Sequence, residues 1–307
     1  MNWRLKAMLL FDRINPSLKH DDSSDIQTMR LHAIRLAKLG TRLFDQVLSV
    51  QNIRNSQADG VPIRIYSNSA KAGRPVIVYY HGGGFAMYSP DTHDAVCRRL
   101  CVMNDAVVVS VDYRMAPEFT FPLAHEDAYR ALLWVHNNCA QLNGNGEKII
   151  VAGDSAGGNL SACMAHRVRK EKSMKLAGQV LVYPWVDGRI NSPSVERNGM
   201  GYFLTKEAML WFQKKYTPDP KDHCDPLVSP LFETDFSGLA PAFVITAEFD
   251  PLLDDGKSYA DKMNAAGVQV RYTEYKGLVH GFLNILGIDP LAMKAFKDIR
   301  DFIRELN

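Results

Sequence analysis

The run Gly153-Asp154-Ser155-Ala156-Gly157-Gly158 sets a serine among small residues, directly after the apolar stretch 148–152 and before the helix-forming NLSACMAHRVRK. A strand turning sharply into a helix at such a serine leaves its Oγ exposed at the helix N-terminus, as a nucleophile for acyl transfer requires. Alone the pattern is weak. A chain of this composition contains a G-x-S-x-G by chance with a probability of about 0.1, and an ordinary glycine-rich turn looks the same. A second pattern changes that. The apolar stretch 75–80 runs into His81-Gly82-Gly83-Gly84-Phe85, and a chance His-Gly-Gly-Gly has a probability of only about 0.003. Three successive glycines after a strand can aim backbone N–H groups at a developing negative charge with no side chain in the way, which is an oxyanion hole. The competing reading is a phosphate-binding nest, but the Lys-Ser/Thr of a P-loop does not follow.

A serine nucleophile needs a general base, and the base needs an orienting carboxylate. Of the nine histidines, His20 and His32 lie in the N-terminal arm, and His93, His125, His136 and His166 fall inside expected helices. His223 belongs to an irregular stretch, and His81 to the glycine loop. His280, in Lys276-Gly277-Leu278-Val279-His280-Gly281-Phe282, follows the last expected strand and is the candidate base. Asp250 follows the apolar stretch 242–247 and precedes Pro251, so it is the candidate carboxylate, though a helix N-cap would look the same. Asp254 and Asp255 are expected as solvated acids in the first turn of the next helix. The order Ser155, Asp250, His280 is that of α/β-hydrolases.

These groups must be held by a scaffold. The segments 45–55 and 61–67 alternate and meet at Asp59-Gly60, which predicts an antiparallel hairpin. Short runs of nearly continuous apolar residues at 75–80, 106–111, 148–152, 179–183 and 242–247 predict strands buried on both faces, and 271–275 predicts a last strand. Helical patterns at 92–104, 124–140, 158–170, 254–266 and 291–306 alternate with them, so the sheet is expected to be mostly parallel. Residues 1–44 are helix-like, with Leu31, Ile34, Leu36, Leu39 and Leu43 near helical spacing and a polar break at 21–25. Residues 187–235 break the strand–helix rhythm and hold Tyr202, Phe203, Trp211 and Phe212, as a lid would.

Composition removes other classes. With 307 residues, 46% hydrophobic and 23% charged, the chain is expected to be a soluble globular protein. Its 36 Lys+Arg against 34 Asp+Glu supply no net field for nucleic acid or an anionic membrane. No apolar run reaches the length of a membrane span or signal-peptide core. Five thinly spread cysteines predict reduced thiols in the cytoplasm rather than a disulfide framework. Cys97 and Cys101 lack the partners of a zinc site, and the basic run at 166–175 reads as a solvated face.

Taken together, HGGGF, YRMAPE (113–118), GDSAGGN, DPLLDDG and HGF resemble, in their order, the hormone-sensitive-lipase-like family of α/β-hydrolase esterases, the group containing bacterial carboxylesterases. The likeness spans about 75–282. It implies an α/β-hydrolase fold with a mostly parallel eight-stranded sheet, helices on both faces and a helical cap. It also implies Ser155 as nucleophile, Asp250 and His280 as its partners, and the N–H groups of Gly83, Gly84 and Ala156 as the oxyanion hole. Residues 1–45 and 187–235 would form the cap over a core of 46–186 and 236–307. The implied substrate is a small-molecule ester of short to medium acyl length, with no cofactor or metal. A homodimer through the last strand and helix, about 269–306, is a further implication. The stretch AMYSPDTHD after HGGGF is less glycine-rich than in relatives, which bears on the acyl pocket. The same machinery serves amidases, and the leaving group is not written in the sequence. A catalytically silent ligand-binding protein is the rival from another class, and plant hormone receptors of the family lack the base that this chain keeps at His280.

Overall fold

The computed structural model describes residues 1–14, 25–45, 47–172, 174–285 and 289–306. Eight strands make one sheet: β1 (Asn52–Ala58), β2 (Val61–Ser67), β3 (Arg74–Tyr80), β4 (Val107–Val111), β5 (Gly144–Asp154), β6 (Gly178–Val182), β7 (Ala242–Phe249) and β8 (Val270–Val279). Their order is β1-β2-β4-β3-β5-β6-β7-β8. The β1–β2 and β2–β4 pairings are antiparallel and all others parallel.

The helices are α1 (Trp3–Ile14), α2 (Ile26–Phe44), α3 (Asp94–Asn104), α4 (Leu123–Asn137), α5 (Ala156–Glu171), α6 (Pro193–Asn198), α7 (Lys206–Tyr216), α8 (Leu253–Ala265) and α9 (Pro290–Glu305). Alternation along β3 sorts the core into two layers. Val76, Val78 and Tyr80 pack with Leu132 of α4, Leu160 of α5 and Met263 of α8. Ile77 and Tyr79 pack with Leu100 of α3 and Phe296 and Ile299 of α9. Burial on both faces is why these strands read as continuous Val/Ile runs.

The hairpin forms at Asp59-Gly60, but β1 begins at Asn52 rather than at 45. Its partner ends at Ser67, which pairs with Asn52, so the earlier residues have no ladder to join. In α2 the helical spacing holds, but the inward face is Met29 and Ala33, while Leu31, Leu36 and Leu39 face water. Of the polar break, only Asp25 lies within the described residues, and it accepts the Thr28 backbone N–H at the start of α2.

Register places the chemistry. Tyr80 of β3 pairs with Gly153 of β5, so the glycine loop and the serine turn leave the sheet side by side. Phe249 of β7 pairs with Val279 of β8, which does the same for Asp250 and His280. All four segments emerge at the carboxyl edge, where parallel α/β sheets carry their ligands.

Candidate active site

Ser155 sits between β5 and α5 with φ +56° and ψ −117°, a strained conformation for a non-glycine residue. Its backbone is pinned on both sides: its N–H donates to the Val182 carbonyl at 2.9 Å, and its carbonyl accepts from Asn159 and Trp185. The turn is tight enough that a Cβ added to Gly153 or Gly157 would lie under 3.0 Å from the Tyr80 carbonyl.

His280 Nε2 faces Ser155 Oγ at 3.0 Å, and Nδ1 faces Asp250 Oδ2 at 2.8 Å. The second carboxylate oxygen, Oδ1, accepts the Leu252 N–H at 2.8 Å, so Asp250 also serves the start of the following helix. Asp250 is fully buried, and Ser155 and His280 nearly so. The imidazole packs against the Tyr183 ring at 4.7 Å between centroids. With Nδ1–H donating to the carboxylate, Nε2 is left to accept the serine proton.

The glycine loop borders this row. Gly83 and Gly84 adopt φ +115° and +57°, and a Cβ on Gly84 would strike the Phe212 ring of α7. The N–H groups of Gly83, Gly84 and Ala156 donate no hydrogen bond among the described residues. Ala156 opens α5, so its N–H also carries the positive end of the helix dipole.

Asp154 is the residue that the sequence reading passed over. Its Oδ1 accepts from Tyr79 Oη at 2.7 Å and from the Gly82 N–H at 2.9 Å. Its Oδ2 faces His93 Nε2 and the Asn284 amide, each at 3.3 Å. One carboxylate thus joins the glycine loop, the serine turn and the segment after His280. Burial pushes its pKa up, but facing His93 and accepting from Tyr79 and Gly82 bring it down to about 2. The signal available in the sequence was its position, one residue before the serine in a polar-free strand end.

His81 and His125 fall away as bases. His81 is buried, stacked on Tyr113 at 4.4 Å, and burial, with His93 nearby, pushes its pKa down to about 3. His125 lies between Tyr216 Oη and Asn159 Oδ1, and burial lowers it to about 4. Asp255 corrects an expectation: it is buried, not solvated. Burial, with Asp187, Asp254 and Asp250 nearby, raises its carboxyl to about 7. Trp211 and Phe212 are buried, and Phe203 lies against the position of a Cβ on Gly281 at 3.6 Å.

A surface cleft of about 420 Å³, lined by Lys38, Arg64, Asp91, Thr92 and Asp94, is open and crossed by ion pairs. A cavity of about 10 Å³ lies behind the glycine loop, among Phe85, Trp185, Gln213 and Tyr216. Among the described residues no cluster of His, Cys, Asp and Glu has the makings of a metal site, and no helix is long and apolar enough to cross a membrane.

A serine turn, an imidazole, a buried carboxylate and a glycine loop at the carboxyl edge of such a sheet define a hydrolase site. The family model described as the alpha/beta hydrolase fold matches residues 77–284. Carboxylesterase NlhH of Mycobacterium tuberculosis is 42% identical over 239 residues, covering 76% of this chain and 75% of that protein. The arylesterase of Saccharolobus solfataricus is 40% identical over 73% of both chains. The solved structure of an esterase from Pyrobaculum calidifontis superposes with a TM-score of 0.92 at 36% identity, covering 100% of this chain and 99% of that one. The chain belongs to the α/β-hydrolase family, within its hormone-sensitive-lipase-like group of bacterial carboxylesterases.

Proposed function

We propose that this carboxylic ester hydrolase works through an acyl-enzyme on Ser155 and takes esters of short to medium acyl length. The observation that carries the reading is the unbroken row from Ser155 Oγ through His280 to Asp250, at 3.0 and 2.8 Å. His280 Nε2 takes the serine proton as Oγ attacks the ester carbonyl. Asp250 holds the ring in the required tautomer and stabilises the imidazolium that forms. The oxyanion is held by the N–H groups of Gly83, Gly84 and Ala156, each oriented before reaction so that no reorganisation is needed in the transition state. His280 returns the proton to the leaving alcohol, the tetrahedral centre collapses to the acyl-serine, and water repeats the sequence to release the acid.

Residues 1–45 and 187–235 serve as a cap in this reading. Phe212 of α7 covers the glycine loop, Phe203 lies beside Gly281, and Arg30 of α2 donates to the carbonyls of Ala86 and Ala116. Short acyl chains are favoured because Phe85, Trp185 and Tyr216 fill the space behind the loop. Phe85 stacks on Tyr216 at 4.0 Å, and the cavity among Phe85, Trp185 and Tyr216 measures only about 10 Å³.

The test is hydrolysis of p-nitrophenyl esters from acetate to palmitate, with Ser155→Ala as the comparison. The rate should peak at short chains and fall on the order of a million-fold in the variant, which should keep the wild-type circular dichroism. Comparable turnover in Ser155→Ala would overturn the nucleophile assignment. A maximum at palmitate would overturn the chain-length reading alone.

A further inference from the structure

Helix α2 turns three leucines, Leu31, Leu36 and Leu39, outward. Its packed face is Met29 and Ala33, beside the inward guanidinium of Arg30. Leu31 and Leu39 are 57% and 52% exposed, with Arg35 and Lys38 exposed between them. At about 100° per residue these four side chains share an arc of about 100°. Helix α1 repeats the arrangement: Trp3 and Leu10, 73% and 58% exposed, share a face.

Scattered surface leucines are ordinary, but apolar residues interleaved with cations along a helix are what a lipid interface selects. We propose that these outward faces dock the protein on an anionic lipid surface.

Charge identifies the occupant. Helix α2 contains Arg30, Arg35, Lys38 and Arg42 and no acidic residue, so the remainder of the chain is net acidic. Arg30 points inward and pairs with Glu118 at 2.8 Å, so the outward charge rests on Arg35 and Lys38, and the chain-wide charge balance does not decide against anionic membranes at this face. Among the described residues Lys38 reaches only Asp91, at 3.4 Å, and it stays 65% exposed, so its charge remains open to other partners. A second copy of the same face would oppose cation with cation, whereas anionic headgroups complement it.

Position gives the docking a consequence. Arg30 ties α2 to Ala86 and Ala116, next to the glycine loop, and the start of α1 lies by the last strand, with Met1 3.0 Å from the position of a Cβ on Gly277. Both helices thus stand at the end of the sheet where the site lies, and docking would hold the site near membrane-dissolved esters.

Binding is read without turnover, so its failure is distinct from failure of the esterase mechanism. The full chain is sedimented with vesicles of phosphatidylcholine alone, or of phosphatidylcholine mixed with phosphatidylglycerol. The wild type should bind the mixed vesicles at least tenfold more tightly than the neutral ones, and about 0.5 M salt should weaken that binding. Each cation near such a surface is worth about fivefold in affinity, so Arg35→Glu/Lys38→Glu should lose more than about tenfold. Leu31→Ser/Leu39→Ser should lose binding as well. Both variants should keep the wild-type circular dichroism, which shows that they fold. No binding to the mixed vesicles, or equal binding by the variants, overturns the proposal. So does a concentration-dependent dimer in sedimentation velocity that these variants abolish, which would assign the face to a second copy.

Discussion

Gly157 shows how little latitude the serine turn leaves. The atoms that a Cβ there would strike are backbone carbonyls of Tyr80 and His81, and these are fixed by the pairing of β3 with β5. No side chain can swing aside, so Gly157→Ala should destabilise the protein by about 3 kcal/mol or more. A fall in the urea midpoint checks this, and an unchanged midpoint would show that the turn can relax. Asp255 gives a second residue-scale prediction, one governed by pH. Its carboxyl is raised to about 7 by burial, against an ordinary 3.8, and its Oδ2 has no hydrogen-bond partner among the described residues. The folded state therefore holds the proton more tightly than the unfolded state. That contribution is complete below about pH 4 and is lost as pH rises through 7. Above 7 the native protein must contain a buried charge beside Asp187 and Asp254. Asp255→Asn should match the wild type at pH 4 and exceed its stability by about 4 kcal/mol at pH 8. Equal melting temperatures at pH 8 would mean that the carboxylate is solvated after all.

At the scale of elements, the site depends on segments that the nucleophile never touches. Helix α6 is only six residues long, but Ser194 Oγ donates to the Pro251 carbonyl at 2.6 Å, and the Asn198 amide donates to the carbonyls of Glu248 and Asp250 at 3.0 and 3.1 Å. These bonds fix the backbone of the turn that presents Asp250. Asn198→Ala would remove both bonds, leaving the Asp250 carbonyl to the Leu253 N–H, at a cost of about 1–3 kcal/mol. Because the turn loosens, kcat for a short ester should fall more than KM changes, and an unaltered kcat would assign Asn198 to folding alone. Such supports explain what the sequence conveyed and what it did not. Strands buried on both faces announce themselves as Val/Ile runs, so β3, β4, β6 and β7 were legible nearly to the residue. Only the centre of β5 was, since its first residues, Gly144–Lys148, are partly exposed and polar. Ser155, Asp250 and His280 were legible because each follows a strand at one sheet edge. Asp154 was not, because its partners Tyr79, Gly82, His93 and Asn284 come from separate parts of the chain and only the fold brings them together. The outward leucines of α2 escaped for a related reason: spacing defines a helix, while the direction it faces depends on its neighbours.

Taken as a whole, the molecule stores neutral imidazole in its interior, and that sets its response to acid. His81, His125 and His166 are each nearly inaccessible to water, and burial lowers their pKa values to about 3, 4 and 4 from an ordinary 6.5. Between about pH 4 and 6.5 the unfolded chain binds protons at these three sites that the folded chain refuses, so stability falls as pH falls through this window. Asp255 acts in the opposite sense over nearly the same range, because the folded state retains its proton there. The excess is about two protons in favour of the unfolded state, a slope of at most about 2.7 kcal/mol per pH unit near pH 5. Asp154 adds to the loss lower down, where a carboxyl held at about 2 must take up a proton as pH falls below 3.8. Thermal melts across a pH series should therefore show a melting temperature nearly level above pH 7 and declining steadily from 6.5 towards 4. The slope of unfolding free energy against pH should correspond to net uptake of about two protons. A profile that stays flat from pH 7 to 5 would mean that the buried imidazoles already carry their protons in the folded state, and the electrostatic picture of this core would have to be redrawn around charged rings.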